Sequence, residues 1–119
     1  MSNRRSGIAG RRRGASLRGE ARVFAALADE TRLGLVAELC GGKSRSISQL
    51  TEGSKLTRQA VTKHLRVLEQ AGIVRCVVAG RERLFEFAPG PLEEMKEYLE
   101  FVSAKWDEAL GRLRALVEE

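Results

Sequence analysis

From Leu92 to Leu116 an apolar residue recurs at alternating intervals of three and four: Leu92, Met95, Leu99, Val102, Trp106, Ala109, Leu113 and Leu116. This unbroken 3-4-3-4-3-4-3 series is a heptad seam along one side of an α-helix. Gly90-Pro91 starts that helix, since proline suits the first helical position, where its missing N–H would have no partner anyway. Such a helix extends for roughly 40 Å at its rise of about 1.5 Å per residue. A chain of 119 residues can build one modest hydrophobic core and not a second. One core of that size leaves most of a four-heptad seam bare. A second copy of the chain would cover it through Leu92, Met95, Leu99, Val102, Trp106, Leu113 and Leu116; packing onto the chain's own first helix is the alternative.

The acids of this last helix, Glu93, Glu94, Glu97, Glu100, Asp107 and Glu108, lie off the seam as its solvated face. They belong to an uneven distribution of charge. Met1 to Arg22 holds seven arginines and one glutamate, and Lys43 to Arg83 holds nine bases and three acids, so each carries a net +6. Leu84 to Glu119 reverses the sign, with nine acids to four bases. A polyanion would meet the basic regions and avoid the last helix. Residues 1–17, with Arg4, Arg5, Arg11, Arg12 and Arg13 among glycine, serine and alanine, are expected to form a flexible basic arm. Such an arm serves either non-specific phosphate attraction or solubility alone.

Hydrophobic residues at 43% and charged residues at 31% fit an ordinary soluble protein, and no apolar run reaches the length of a membrane span. The N-terminus has arginines without the apolar centre of a secretory signal, so the cytoplasm is the expected location. Cys40 and Cys76 form no CxxC pair, which argues against a disulfide framework or a zinc ribbon.

Between the arm and the seam the sequence predicts four short elements and a hairpin. Helical spacing begins near Leu17, with Val23, Phe24 and Leu27 apolar. Asp29 caps a second helix over Glu30 to Cys40, with Leu33, Val36, Ala37 and Cys40 on its apolar face and Gly41-Gly42 ending it. Ser46 caps a third, through Ile47, Leu50 and Thr51, broken at Gly53-Ser54. Thr57 caps a fourth that ends at Gly72, with Val61, Leu65 and Leu68 inward. A short helix, a tight turn and a longer helix make a helix-turn-helix. Ile73 to Ala79 and Arg83 to Phe87 then read as strands joined at Gly80, with Phe85 and Phe87 on one face. The expected fold is thus mainly α with a small β-hairpin: a winged helix-turn-helix domain over 18–90 and a long C-terminal dimerisation helix over 91–119.

With Val61, Leu65 and Leu68 inward, the fourth helix turns Arg58, Gln59, Thr62, Lys63 and Arg66 outward with no acid among them. Arginine pairs bidentately with guanine and glutamine with adenine, and threonine offers a hydroxyl or a methyl. A basic, polar face is also what any solvated helix presents. The hairpin tips the reading, because Arg75, Arg81 and Arg83 lie on or beside a loop able to reach neighbouring phosphates.

The segments ALADETRLGLVAEL, LTRQAVTKHLRVLEQAGIV and AGRERLFEF together resemble the ArsR/SmtB family of winged-helix transcriptional regulators. The resemblance covers about Ala21 to Phe87. It implies a homodimer built by the first and last helices, each fourth helix in a major groove and each wing along the backbone. Position by position, Arg58, Gln59, Thr62 and Lys63 match the family's groove-facing residues, Arg81 and Arg83 its wing, and His64 a histidine of the recognition helix. The long last helix with Trp106 resembles a branch often encoded beside lipid-binding-like proteins.

The departures from the family's metal sensors matter as much. The third helix reads SISQLTEG without cysteine, and His64 is the only histidine in the chain, so a bound metal is not expected. His64 is expected to support a hydrogen bond. Cys40, on an apolar face, and Cys76, in a strand, are expected to be inert, with oxidant sensing the alternative. No phosphate-binding glycine loop, nucleophile elbow or catalytic constellation is present, so no enzyme and no cofactor are expected. The expected partners are double-stranded operator DNA and a second copy of the chain, with no membrane and an effector of unknown chemistry. The expected function is a sequence-specific repressor acting by operator occupancy. A protein-interaction module docking through the heptad helix is the alternative, and non-specific packaging through the arginine arm a third.

Overall fold

The computed structural model describes residues 17–118. The arm expected over 1–17 falls outside them except for Leu17, the first described residue of helix α1, which occupies residues 17–27. There follow α2 (Glu30–Leu39), β1 (Arg45–Ser46), α3 (Ile47–Glu52), α4 (Arg58–Gln70), β2 (Val74–Ala79), β3 (Glu82–Phe87) and α5 (Gly90–Glu118).

Each short helix begins where the sequence supplies an oxygen for its unpaired N–H groups. The Asp29 carboxylate accepts from the Arg32 amide at 3.0 Å. Ser46 and Gln49 form a reciprocal capping box, each side chain accepting from the other's backbone N–H. Thr57 Oγ1 accepts from the Ala60 amide at 3.1 Å. Thr57→Ala is therefore expected to lower the unfolding free energy by about 1 kcal/mol, read from the urea midpoint of the purified chain.

Gly72 leaves α4 at φ +77°, and a Cβ there would stand 3.3 Å from Cγ of Pro91 at the start of α5. Only glycine combines that backbone with so close an approach. At the hairpin tip, Gly80 (φ +67°) and Arg81 separate paired Ala79 and Glu82. Positive φ at the first of two loop residues is the turn whose twist matches a two-stranded ribbon.

One core joins all five helices to the sheet. Val23 and Ala26 of α1, Leu35, Val36 and Leu39 of α2, Leu50 of α3, Val61, Leu65 and Leu68 of α4, Phe85 of β3 and Met95 of α5 are buried in it. Ile73 and Val74 complete it. Leu65 and Leu68 are fully enclosed, so α4 has its whole apolar stripe inward. Phe85 is buried and Phe87 packs partly beside it, the shared face that their alternation predicts.

Two features differ from expectation. A strand precedes α3: Arg45 and Ser46 pair antiparallel with Phe85 and Leu84, making a three-stranded sheet in the order β1-β3-β2. Two residues are too few for alternation to register. Helix α2 is also rotated from its expected face. It buries Leu35, Val36 and Leu39, while Leu33 is 52% exposed and Ala37 and Cys40 face solvent. Overlapping apolar series run through this helix, and turning Leu35 and Leu39 inward removes more apolar area from water than Ala37 and Cys40 would. Cys40 is thus an exposed thiol at the end of α2, and Cys76 is half-buried in β2.

Among the described residues, helix α5 reaches the core through its first turns. Leu92 and Met95 reach the core, and Tyr98 meets Phe24 of α1 edge to face, with ring centroids 6.3 Å apart. Beyond them Trp106 is 62% exposed, Leu113 58% and Leu116 70%, with Leu99 nearly half exposed and Val102 and Ala109 partly covered.

Candidate nucleic-acid interface

Burying Val61, Leu65 and Leu68 forces the opposite side of α4 outward. Arg58, Gln59, Lys63 and Arg66 are exposed there, and Thr62 is half-covered. Thr62 Oγ1 donates to the Arg58 carbonyl at 2.8 Å, one turn back, which leaves its methyl and its oxygen lone pairs outermost. Arg58 Nη1 donates to Ser48 Oγ of α3 at 3.0 Å. The first helix of the pair thereby holds the leading cation of the second.

The wing arginines sit on a separate element. Arg81 lies in the two-residue turn and Arg83 just inside β3 opposite Val78, both exposed. Arg75, expected near them, is at the far end of the ribbon. It faces Glu86 in the strand register, and its Nε donates to Glu86 Oε1 at 2.6 Å. Glu86 accepts also from Ser44 Oγ at 3.2 Å. Arg75, then Ser44, hold the Glu86 carboxyl below its ordinary range by donating to its charged form. Arg75 is thus an intramolecular partner, committed across the sheet. Its register with Glu86 follows from the turn and could not be read before the hairpin was placed.

His64 is turned inward. Its Nδ1 lies 3.2 Å from Arg32 Nη1 and 3.8 Å from the Asp29 carboxylate, at the start of α2. The Asp29 carboxyl is held below its usual range, first by the Arg32 backbone N–H and then by the Arg32 guanidinium, against some desolvation. The hydrogen-bonding role expected of His64 is the one observed; Arg32 and Asp29 as its partners were not legible, being 32 and 35 positions away. Ser48 as the support of Arg58 was likewise missed, though a hydroxyl in the first turn of α3 was a signal for it.

Among the described residues, no three histidine, cysteine, aspartate or glutamate side chains lie together as a metal ion would need. None of the described helices is long and apolar enough to cross a membrane. The six acids of α5 named above are all exposed, away from the α4 face in sequence and in kind.

A helix-turn-helix domain family matches residues 27–77, the span from the end of α1 into the wing. An HTH-type transcriptional regulator of Mycobacterium tuberculosis, Rv2034, is 31% identical over 97 residues, covering 82% of this chain and 87% of the relative. Among solved structures, an ArsR-like transcriptional regulator from Rhodococcus superposes with a TM-score of 0.75 at 35% identity, covering 86% of this chain and 95% of that one. A winged helix-turn-helix DNA-binding domain from Mycobacterium bovis, described as homodimeric and as a possible ArsR-family regulator, superposes at 0.63 with 26% identity, covering 83% and 88%. The chain, with its capped α3-turn-α4 pair, three-stranded wing and long last helix, belongs to the ArsR family of winged helix-turn-helix transcriptional regulators.

Proposed function

We propose that this regulator is a repressor that binds a pseudo-palindromic operator as a homodimer and acts by occupying it. The observation that carries the reading is the outer face of α4, where Arg58, Gln59, Thr62, Lys63 and Arg66 stand over the first three turns with no acid among them, the exposed Glu69 following only at the helix end, while the opposite face is locked in the core. In this reading the first turns of α4 enter the major groove, and Arg81 and Arg83 of the wing reach the flanking phosphates. The domain over 18–90 does the reading and the helix over 91–119 brings two copies together. The Mycobacterium bovis neighbour, described as homodimeric, supports the pairing of two copies. The protein works in the cytoplasm, where its DNA is, and needs no cofactor to bind.

A labelled fragment of the DNA upstream of the protein's own coding sequence tests this by fluorescence anisotropy, with scrambled DNA as competitor. Specific binding by the wild type is expected, and Arg58→Ala should cut discrimination between the two DNAs by about 1–3 kcal/mol. Equal affinity for both fragments would refute specific readout, and no binding at all would leave α5 as the docking face of a protein-interaction module.

A further inference from the structure

Arg32 joins three helices with one side chain. Its Nε donates at 2.6 Å to the carbonyl of Ala26, in the last turn of α1. Its Nη1 meets His64 Nδ1 in the middle of α4 at 3.2 Å, while its own backbone N–H is held by the Asp29 cap of α2. The carbonyl it serves is one of the last four of α1, which have no partner within their own helix. A guanidinium is planar and carries only donors, so two acceptors bound at different nitrogens fix its plane. It also has no lone pair to offer, so a hydrogen bond between the two requires the ring nitrogen it faces to accept, the tautomer that carries its proton on Nε2.

We propose that Arg32 and His64 are positioning residues for DNA readout, a directed clamp that sets the rotation of α4 against α1 and α2. Val61, Leu65 and Leu68 hold α4 on the core, but apolar burial is non-directional and tolerates small rotations. Hydrogen bonds lose strength steeply with angle, so the clamp favours one rotation. His64 follows Lys63 directly and lies two positions from Thr62, so a rotation at His64 carries both outward residues with it. Helix α1, which anchors the far end of the clamp, also touches α5 through Phe24 and Tyr98. This inference rests on the reading of α4 as the DNA-contacting helix.

The test uses the whole chain with Arg32→Lys, His64→Leu, His64→Asn and the Arg32→Lys/His64→Leu double variant. Lysine keeps the charge but not the fork; leucine fills the space without an acceptor; the asparagine oxygen stands near where Nδ1 stood. Affinity for the upstream fragment is measured at fixed salt, well below each variant's melting temperature. Arg32→Lys and His64→Leu are each expected to weaken binding about tenfold, the double variant no more than either, and His64→Asn to recover to within about threefold. The slope against salt should not change, since no phosphate contact is removed. In the free protein, amide exchange along α4 should quicken in Arg32→Lys and His64→Leu and not in His64→Asn. His64→Leu binding as well as wild type, multiplying losses in the double variant, or losses that simply follow the unfolded fraction would each overturn the clamp. A wild type that fails to bind the fragment refutes the DNA reading instead, and the exchange measurement then decides the clamp by itself.

Discussion

Raising monovalent salt from about 50 to 200 mM is expected to weaken binding to the upstream DNA at least a thousandfold, or roughly 4 kcal/mol. Each protomer of the proposed dimer offers Arg58, Lys63, Arg66, Arg81 and Arg83 as exposed cations on α4 and the wing. Each phosphate they neutralise releases condensed counterions, and a dimer making six or more such contacts has a log–log slope near −5 or steeper. Arg75 does not add to the count, because Glu86 holds it across the sheet. The measurement is anisotropy at five or six salt concentrations. Arg83→Ala should flatten the slope by about two, one contact from each protomer, and weaken matched and scrambled DNA alike. Arg58→Ala should instead narrow the gap between the two DNAs. A wild-type slope shallower than about −2 would mean that α4 and the wing do not meet the backbone together.

What the sequence conveyed about this architecture divides by the range of the interaction. Asp29, Ser46 and Thr57 announce their helices because a cap bonds three residues ahead, and Gly72 and Gly80 mark turns through their own backbone. The outward face of α4 is equally legible, since three large apolar residues at i, i+4 and i+7 leave a single inward orientation. Helix α2 defeats the same logic. Leu33, Leu35, Val36, Ala37, Leu39 and Cys40 surround most of it, so neighbours decide which side is buried. Strand β1 exists only because β3 offers it an edge. The Arg32–His64 contact and the Arg75–Glu86 pair each need the fold in place before the partners are near. One pair takes an arginine from the proposed DNA surface, and the other adds an arginine behind it.

Trp106→Glu is expected to convert the protein to monomers at micromolar concentration and to cost at least a hundredfold in affinity for the upstream DNA. The described residues leave Leu99, Trp106, Leu113 and Leu116 of the α5 seam exposed, with Val102 and Ala109 only partly covered, and an open apolar trough lined by Leu92, Met95 and Leu99 continues the seam toward the core. In a symmetric pair each substitution is introduced twice, so two aromatic anchors are lost and two carboxylates are buried. Each anchor of this kind contributes about 2 kcal/mol or more, and roughly 4 kcal/mol is a thousandfold in the dimerisation constant. Because Trp106 lies beyond the contacts that fix α5 to the core, the monomer's helix content and melting should change little. Arg114→Glu, on the same helix but off the seam, separates the effect of charge from that of position. Sedimentation velocity across a hundredfold range of concentration reads the association, and anisotropy reads the binding. Half-sites held by a monomer lose the second helix and its phosphates at once, so the two losses must appear together. Monomers that bind DNA undiminished would take α5 out of the reading mechanism and make its bare seam a surface for another protein.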